Sequence, residues 1–218
     1  MAEPTTAPAP AAAPGSDPDR RVSGYTLVLP PGWHHIPLRQ GTDEAIRKAV
    51  DAAARDARKN MPRDKLTGYR LDQIRRLAKL AKDARRKHGT DLYVPMGLAR
   101  GLPVPASFLV SEVSLGSVEE IPPEVMIVGL AGGGDSRKVT VAGAPAARTE
   151  HTEGPGNPRE VEYASRRVDY VIAVPEDPDR YLAAAFSTFG GGNPDDELAR
   201  TLVELFDAMM TTLRWTWS

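Results

Sequence analysis

The feature that most constrains this chain is a succession of β-type runs from residue 104 to 189, cut repeatedly by Gly, Pro and Asp. The runs are "VPASFLVSEVSL", "EVMIVGL", "RKVTVAG", "PAARTEHTE", "REVEYASRRVDYVIAVP" and "RYLAAAFSTF". Runs of this length split by turn residues are the pattern of an antiparallel meander. In "VEYASRRVDYVIAV" the alternation places Val161, Tyr163, Val168, Tyr170 and Ile172 in facing patterns, and "PEDPD" at 175–179 is a tight hairpin connection to the next run.

Helical periodicity flanks the meander. In "GTDEAIRKAVDAAARDARKN" residues Ile46, Ala49, Val50, Ala53 and Ala57 recur at helical spacing, with Thr42 or Asp43 as the expected cap. Pro62 ends that helix. A second follows on Leu66, Ile74, Leu77, Ala81 and Ala84, and Gly89 is positioned to stop it. Together they predict a helical pair. At the C-terminal end, "NPDDELARTLVELFDAMMTTLRW" predicts a helix with Asn193 at the cap and Pro194 in the first turn. Its apolar face is Leu198, Leu202, Leu205, Phe206, Met209 and Leu213. Upstream, "YTLVL" and "HHIPL" read as the two short strands of a hairpin around "PPGW", with Pro37 at an edge or strand end. The fold class expected is α+β: an antiparallel sheet with helices against it, an N-terminal helical pair and a C-terminal helix.

The chain is 218 residues, enough for one sizeable core with a tail. Residues 1–21, "MAEPTTAPAPAAAPGSDPDRR", predict a disordered Pro/Ala-rich arm rather than a secretory signal, and 22–218 read as a single domain. No apolar run reaches the roughly 18 residues of a membrane span, so membrane insertion is not expected. The absence of Cys excludes disulfides, thiolate metal sites and cysteine nucleophiles, and suits a cytoplasmic protein.

Four segments together resemble the PsbP-like fold superfamily, which includes the Ran-binding import factor Mog-one. They are "LVLPPGW", "AGAPAARTEHTE", "VDYVIAVPEDPDRYLAAAFST" and "ELARTLVELFDAMMTTLRW". The residues that carry the likeness are Gly143, Pro145, Ala146, Tyr170, Pro175, Phe186, Ser187, Thr188 and Trp215. The resemblance implies an α/β/α sandwich in a bacterial, actinobacterial member of the superfamily. It also implies a non-enzymatic protein that binds other proteins, with an accessory role near a bacterial secretion apparatus. It brings no catalytic residues with it.

Motif by motif, chemistry finds little footing. In "GLAGGGDSRK" the Lys follows Arg137 rather than Gly, and a strand-like "VTV" follows rather than a helix. The segment therefore reads as a hairpin turn and not a phosphate loop. His34 and His35 are neighbours and would point to opposite faces of a strand; with His88 and His151 they form no metal spacing. Trp33 is expected at the edge of the core and the histidines at the surface. Ser187 lies in a strand-like run without a nucleophile elbow. No catalytic, cofactor-binding or metal residue is nominated, and the chain is not expected to be an enzyme.

Charge is the informative departure. The net charge is −1, yet residues 43–88 hold 15 Lys/Arg against 7 Asp/Glu, and residues 150–218 hold 6 against 13. The basic cluster is Arg70, Arg75, Arg76, Lys79, Lys82, Arg85, Arg86 and Lys87. It reads as the contact surface for another protein, an acidic one, or alternatively as a non-specific nucleic-acid surface along helix 63–88. Only Tyr69 offers a stacking ring there, which disfavours sequence-specific reading of single strands.

Overall fold

The computed structural model describes residues 21–58, 62–96, 98–99, 102–115, 122–132, 136–154 and 164–218. In chain order the elements are β1 (Val22–Thr26), β2 (Trp33–Pro37), α1 (Thr42–Ala57), α2 (Arg63–Arg86), β3 (Gly89–Pro95), β4 (Leu98–Ala99), β5 (Leu102–Pro103) and β6 (Ala106–Ser114). They continue with α3 (Pro123–Leu130), β7 (Arg137–Val141), β8 (Ala144–Glu153), β9 (Ser165–Ala173), β10 (Arg180–Thr188), α4 (Glu197–Thr211) and β11 (Arg214–Trp217). The architecture is α+β. Seven strands form one antiparallel sheet in the order β2-β3-β6-β10-β9-β8-β7, and β1-β11 and β4-β5 form two small ribbons.

The period-2 alternation of the long strands divides the apolar residues between two faces. On the first face Phe108, Val168, Tyr170, Ile172 and Phe186 pack against Leu202, Phe206, Met209 and Met210 of α4. Phe206 is fully buried, stacked on Phe186 at 4.9 Å and tilted against Phe108 at 5.2 Å. Such ring pairs add about 0.5–1.5 kcal/mol each beyond the area they bury. On the second face Ile36, Leu92 and Val94 pack beneath Ile46 and Val50 of α1 and Leu77 and Ala81 of α2. Further along that face Ala147, Val171, Ala173 and Tyr181 pack beneath Ile127 of α3.

Several local expectations are corrected. The hairpin expected for 25–38 does not form. β1 pairs with β11 (Tyr25 opposite Trp215) and β2 pairs with β3 (His35 opposite Tyr93), so the Pro-Pro-Gly corner hands the chain from one sheet to another. Trp33 does sit at the core, tilted on Phe108 at 5.8 Å. "EVMIVGL" belongs to helix α3, not a strand: prolines at 122 and 123 start the helix and Ile127 turns into the sheet. The glycine segment after it consequently joins a helix to β7 rather than two strands; residues 133–135 lie outside the described residues, as do Val161 and Tyr163. The arm at 1–20 also lies outside them.

The caps differ too. Gly41, at φ 72°, is the N-cap of α1, because the Thr42 hydroxyl is turned inward to donate to Pro37 O at 2.7 Å. α2 ends at Arg86, and His88, not Gly89, takes the positive φ of 60°. Gly89 instead starts β3, where a Cβ would lie 2.4 Å from Leu109 Cδ1. The cap of α4 is Asp196, which accepts from Ala199 N at 2.6 Å; Asn193 and Pro194 precede the helix. Leu198, assigned to the apolar face, is 42% exposed.

One polar network crosses the first face. Arg148 on β8 is only 5% exposed, and it donates to both carboxylate oxygens of Asp207 on α4, at 2.9 and 2.8 Å. Glu150 meets it at 2.8 Å and Tyr170 OH donates to Asp207 at 2.8 Å. Burial disfavours the Arg148 cation, but the bonds to Asp207 and Glu150 outweigh it and push its pKa upward. Removing one member of a buried pair leaves an uncompensated charge. Asp207→Ala is expected to lower stability by about 2–3 kcal/mol, tempered by Glu150, in urea denaturation. Asp195→Ala, which removes an exposed carboxylate 3.8 Å from Arg166, is expected to stay within about 0.5 kcal/mol.

Candidate functional site

Helix α2 is long because nothing interrupts it between Pro62 and Lys87, and because Asp64 in its first turn and Arg85 and Arg86 in its last suit its dipole. Leu66, Leu77, Ala81 and Ala84 bury one stripe, which forces the Lys and Arg residues to the other side.

The eight cations nominated from sequence do not act alike. Arg85 works inside the fold: its Nε donates to Leu38 O at 2.7 Å and its Nη2 to the Thr42 hydroxyl at 2.5 Å, tying the end of α2 to the start of α1. Arg70 pairs with Asp51 of α1. Arg75 lies 3.7 Å from Asp72 and Arg86 pairs with Asp83, both at helical i,i+3 spacing and largely exposed. Such exposed pairs contribute little and leave much of the positive field in place. Arg76, Lys79, Lys82 and Lys87 are exposed and have no ion-pair partner within 4.0 Å among the described residues. Exposed Arg47, Lys48 and Arg55 of α1 extend the same cationic character.

Sequence reading missed a second cluster, at the edge strand β2 and its neighbour β3. His35 is stacked on Tyr93 (centroids 4.8 Å, 19° between planes) and its Nε2 lies 2.6 Å from Asp91 Oδ1. The Thr90 hydroxyl donates to Asp91 at 2.9 Å, and Tyr25 and Tyr93 share a hydroxyl contact of 3.0 Å. Burial pushes both phenols well up, so both stay neutral. Burial also works on Asp91, but its hydrogen bonds from His35, Thr90 and Tyr25 prevail and hold the carboxyl below its ordinary 3.8. The cluster therefore holds an oriented imidazole and saturates its carboxylate, and it fastens β1 and β2 to β3. His34 points the other way along the strand, and burial lowers its pKa. The only sequence signal was the β-strand spacing that separates His34 from His35.

A third cluster lies on β8 and β9. Asp169 is pushed up by burial, and its basic neighbours His151 and Arg167 stand off at 3.9 and 3.8 Å. It borders a cavity of about 230 Å³ beside Leu130, Val171 and Ala183, otherwise lined by apolar groups and backbone. Among the described residues no three His, Cys, Asp or Glu side chains come together as a metal site, and no helix is long and apolar enough to cross a membrane. No family model matches this chain, and no curated protein is similar to it.

Because Asp91 is depressed in the folded state, it stabilises the fold above the unfolded carboxylate pKa, and that contribution is lost as pH falls through the folded value. Wild type is therefore expected to exceed Asp91→Asn in stability by its full margin at about pH 6, with the margin shrinking below about pH 4. Paired denaturation curves across that range provide the check.

Proposed function

We propose that this chain is a protein-binding scaffold that receives an acidic partner on the exposed cationic face of α2. The observation that carries this reading is the group Arg76, Lys79, Lys82 and Lys87. These long exposed cations have no ion-pair partner within 4.0 Å among the described residues, and they stand along a 24-residue helix and at its C-cap, where their field adds up. The PsbP-like sandwich implied by the sequence resemblance supports the same role. Helices packed on opposite faces of an antiparallel sheet are compatible with such a sandwich, and that superfamily includes protein-binding members. An accessory place near a secretion apparatus is the setting this resemblance suggests.

The triple variant Arg76→Glu, Lys79→Glu, Lys82→Glu reverses the face without touching the core. It is expected to change stability by only a few tenths of a kcal/mol per site. Capture of binding proteins from native lysate is expected to fall at least about 10-fold, with steep salt dependence in the wild type. Unchanged capture by the variant refutes this surface. Capture that vanishes on nuclease treatment identifies nucleic acid as the bound species instead.

A further inference from the structure

On the second face the described helices stand over the flanks of the sheet. α1 lies over β2, α2 over β3, and α3 over β8 and β9, while central β6 and β10 receive little helical cover. At one end of this gap a groove of about 310 Å³ opens beside α2. Leu77 and Leu80 form its helical wall, Val94 and Met96 extend it along β3, and Phe189 closes the far side. Leu80 is 38% exposed and Phe189 46%, in a fold whose other large apolar side chains are mostly buried. Exposed apolar surface that lines a concavity marks an interaction site better than the same residues scattered singly.

We infer that this groove seats an apolar anchor residue from an acidic segment of a partner protein, with α2 supplying the matching charge. The inference rests on the cationic-face reading and adds where, and by what chemistry, the partner is gripped. Charge complementarity selects the occupant. Arg76 is three residues from Gln73 and four from Leu80, both of which line the groove, so an exposed cation with no ion-pair partner among the described residues stands on its rim. Lys79 and Lys82 continue that charge away from the groove. Size points the same way: about 310 Å³ is at the bottom of the range for enclosed small-molecule sites, and this groove is open, which suits one or two inserted side chains. Met96 can adjust its shape to an aliphatic or an aromatic anchor.

The test pans a random 16-residue peptide library displayed on phage against the full chain. Enriched peptides are then synthesised and titrated by fluorescence anisotropy at several salt concentrations. Enriched sequences are expected to set a Leu, Ile, Phe or Trp among two or more Asp or Glu. Leu80→Ser with Phe189→Ser is expected to weaken them at least about 10-fold with the salt slope kept, because an apolar contact is lost and no charge changes. Gln73→Trp, which fills the groove from its rim and leaves the core intact, is expected to do the same, so a folding defect in the first variant does not decide the outcome. Arg76→Glu with Lys79→Glu is expected to weaken binding and flatten the salt slope. Peptides that ignore the groove variants but are lost on charge reversal refute the groove and leave the cationic-face reading standing. Peptides insensitive to both refute both, and a library that yields no enrichment refutes the groove.

Discussion

A guanidinium buried against a sheet has to be neutralised where it stands, and Arg148 sets that requirement for this fold. Its bidentate contact with Asp207 fixes the rotation of α4 as well as its position, because a fork of two parallel bonds tolerates little twist. Asp207 is adjacent to Phe206, so the same rotation drives that ring onto Phe186 and Phe108. Tyr170 joins both systems, since its ring meets Phe206 edge-on at 5.7 Å while its hydroxyl binds Asp207. With α4 set, Leu213 is buried and the next four residues emerge as β11. That strand then pairs with β1, and Ser218 N closes on Arg21 O at 3.0 Å. The two ends of the described chain are therefore held together as a consequence of a charge pair between α4 and β8, the strand next to the β7 edge of the sheet.

Elements that carry their own period were legible in the sequence. α4 shows its apolar stripe, and β9 and β10 are β-type runs of nine residues on either side of the Pro-Asp turn, where Glu176 takes a φ of 60°. Illegible features were those decided by a distant partner. After Glu124, "VMIVGL" has no polar residue, so no period separates a short helix from a strand; what decides is the seat for Ile127 offered by Ala147, Val171 and Tyr181. "YTLVL" and "HHIPL" have the composition of a hairpin, but the strand available to β1 is contributed from 190 residues away. Caps failed for a related reason. Thr42 is an apt N-cap residue by type, yet Arg85 and Pro37 both claim its hydroxyl, and only the folded arrangement of α1 and α2 reveals that competition.

For the candidate site, the sequence could rank cations by density but not by duty. All eight sit within 18 positions of one another, and a helical wheel treats Arg85 and Lys82 alike. Tertiary contacts separate them: Arg85 reaches a carbonyl at Leu38 that no local pattern predicts, whereas Lys82 has no ion-pair partner within 4.0 Å among the described residues. The apolar groove was invisible for the same reason. Leu77, Met96 and Phe189 are far apart in the chain and meet only through the order β3-β6-β10, which is a tertiary property.

The gap beside α2 has a cause in composition. On the second face the central strands present Ser107, Leu109 and Ser111 from β6 and Ala183, Ala185 and Ser187 from β10, with Val113 and Tyr181 at the end under α3, while their alternates Phe108, Val110, Leu182, Ala184 and Phe186 are committed to the α4 side. Burial energy scales with apolar area, and Leu109 already packs against the α1–α2 cluster, so the Ala and Ser that make up the rest of this floor reward a further covering helix less than the Leu, Ile and Val of the flanks. Helices therefore settle where the apolar area is, over β2–β3 and over β8–β9, and a shallow channel is left between them. α2 then has two environments on its non-buried side, open solvent and the lip of that channel. Its residues divide accordingly, with Lys79 and Lys82 outward and Leu80 inward beside Arg76. An apolar recess and a positive rim arise together from one asymmetry in the sheet.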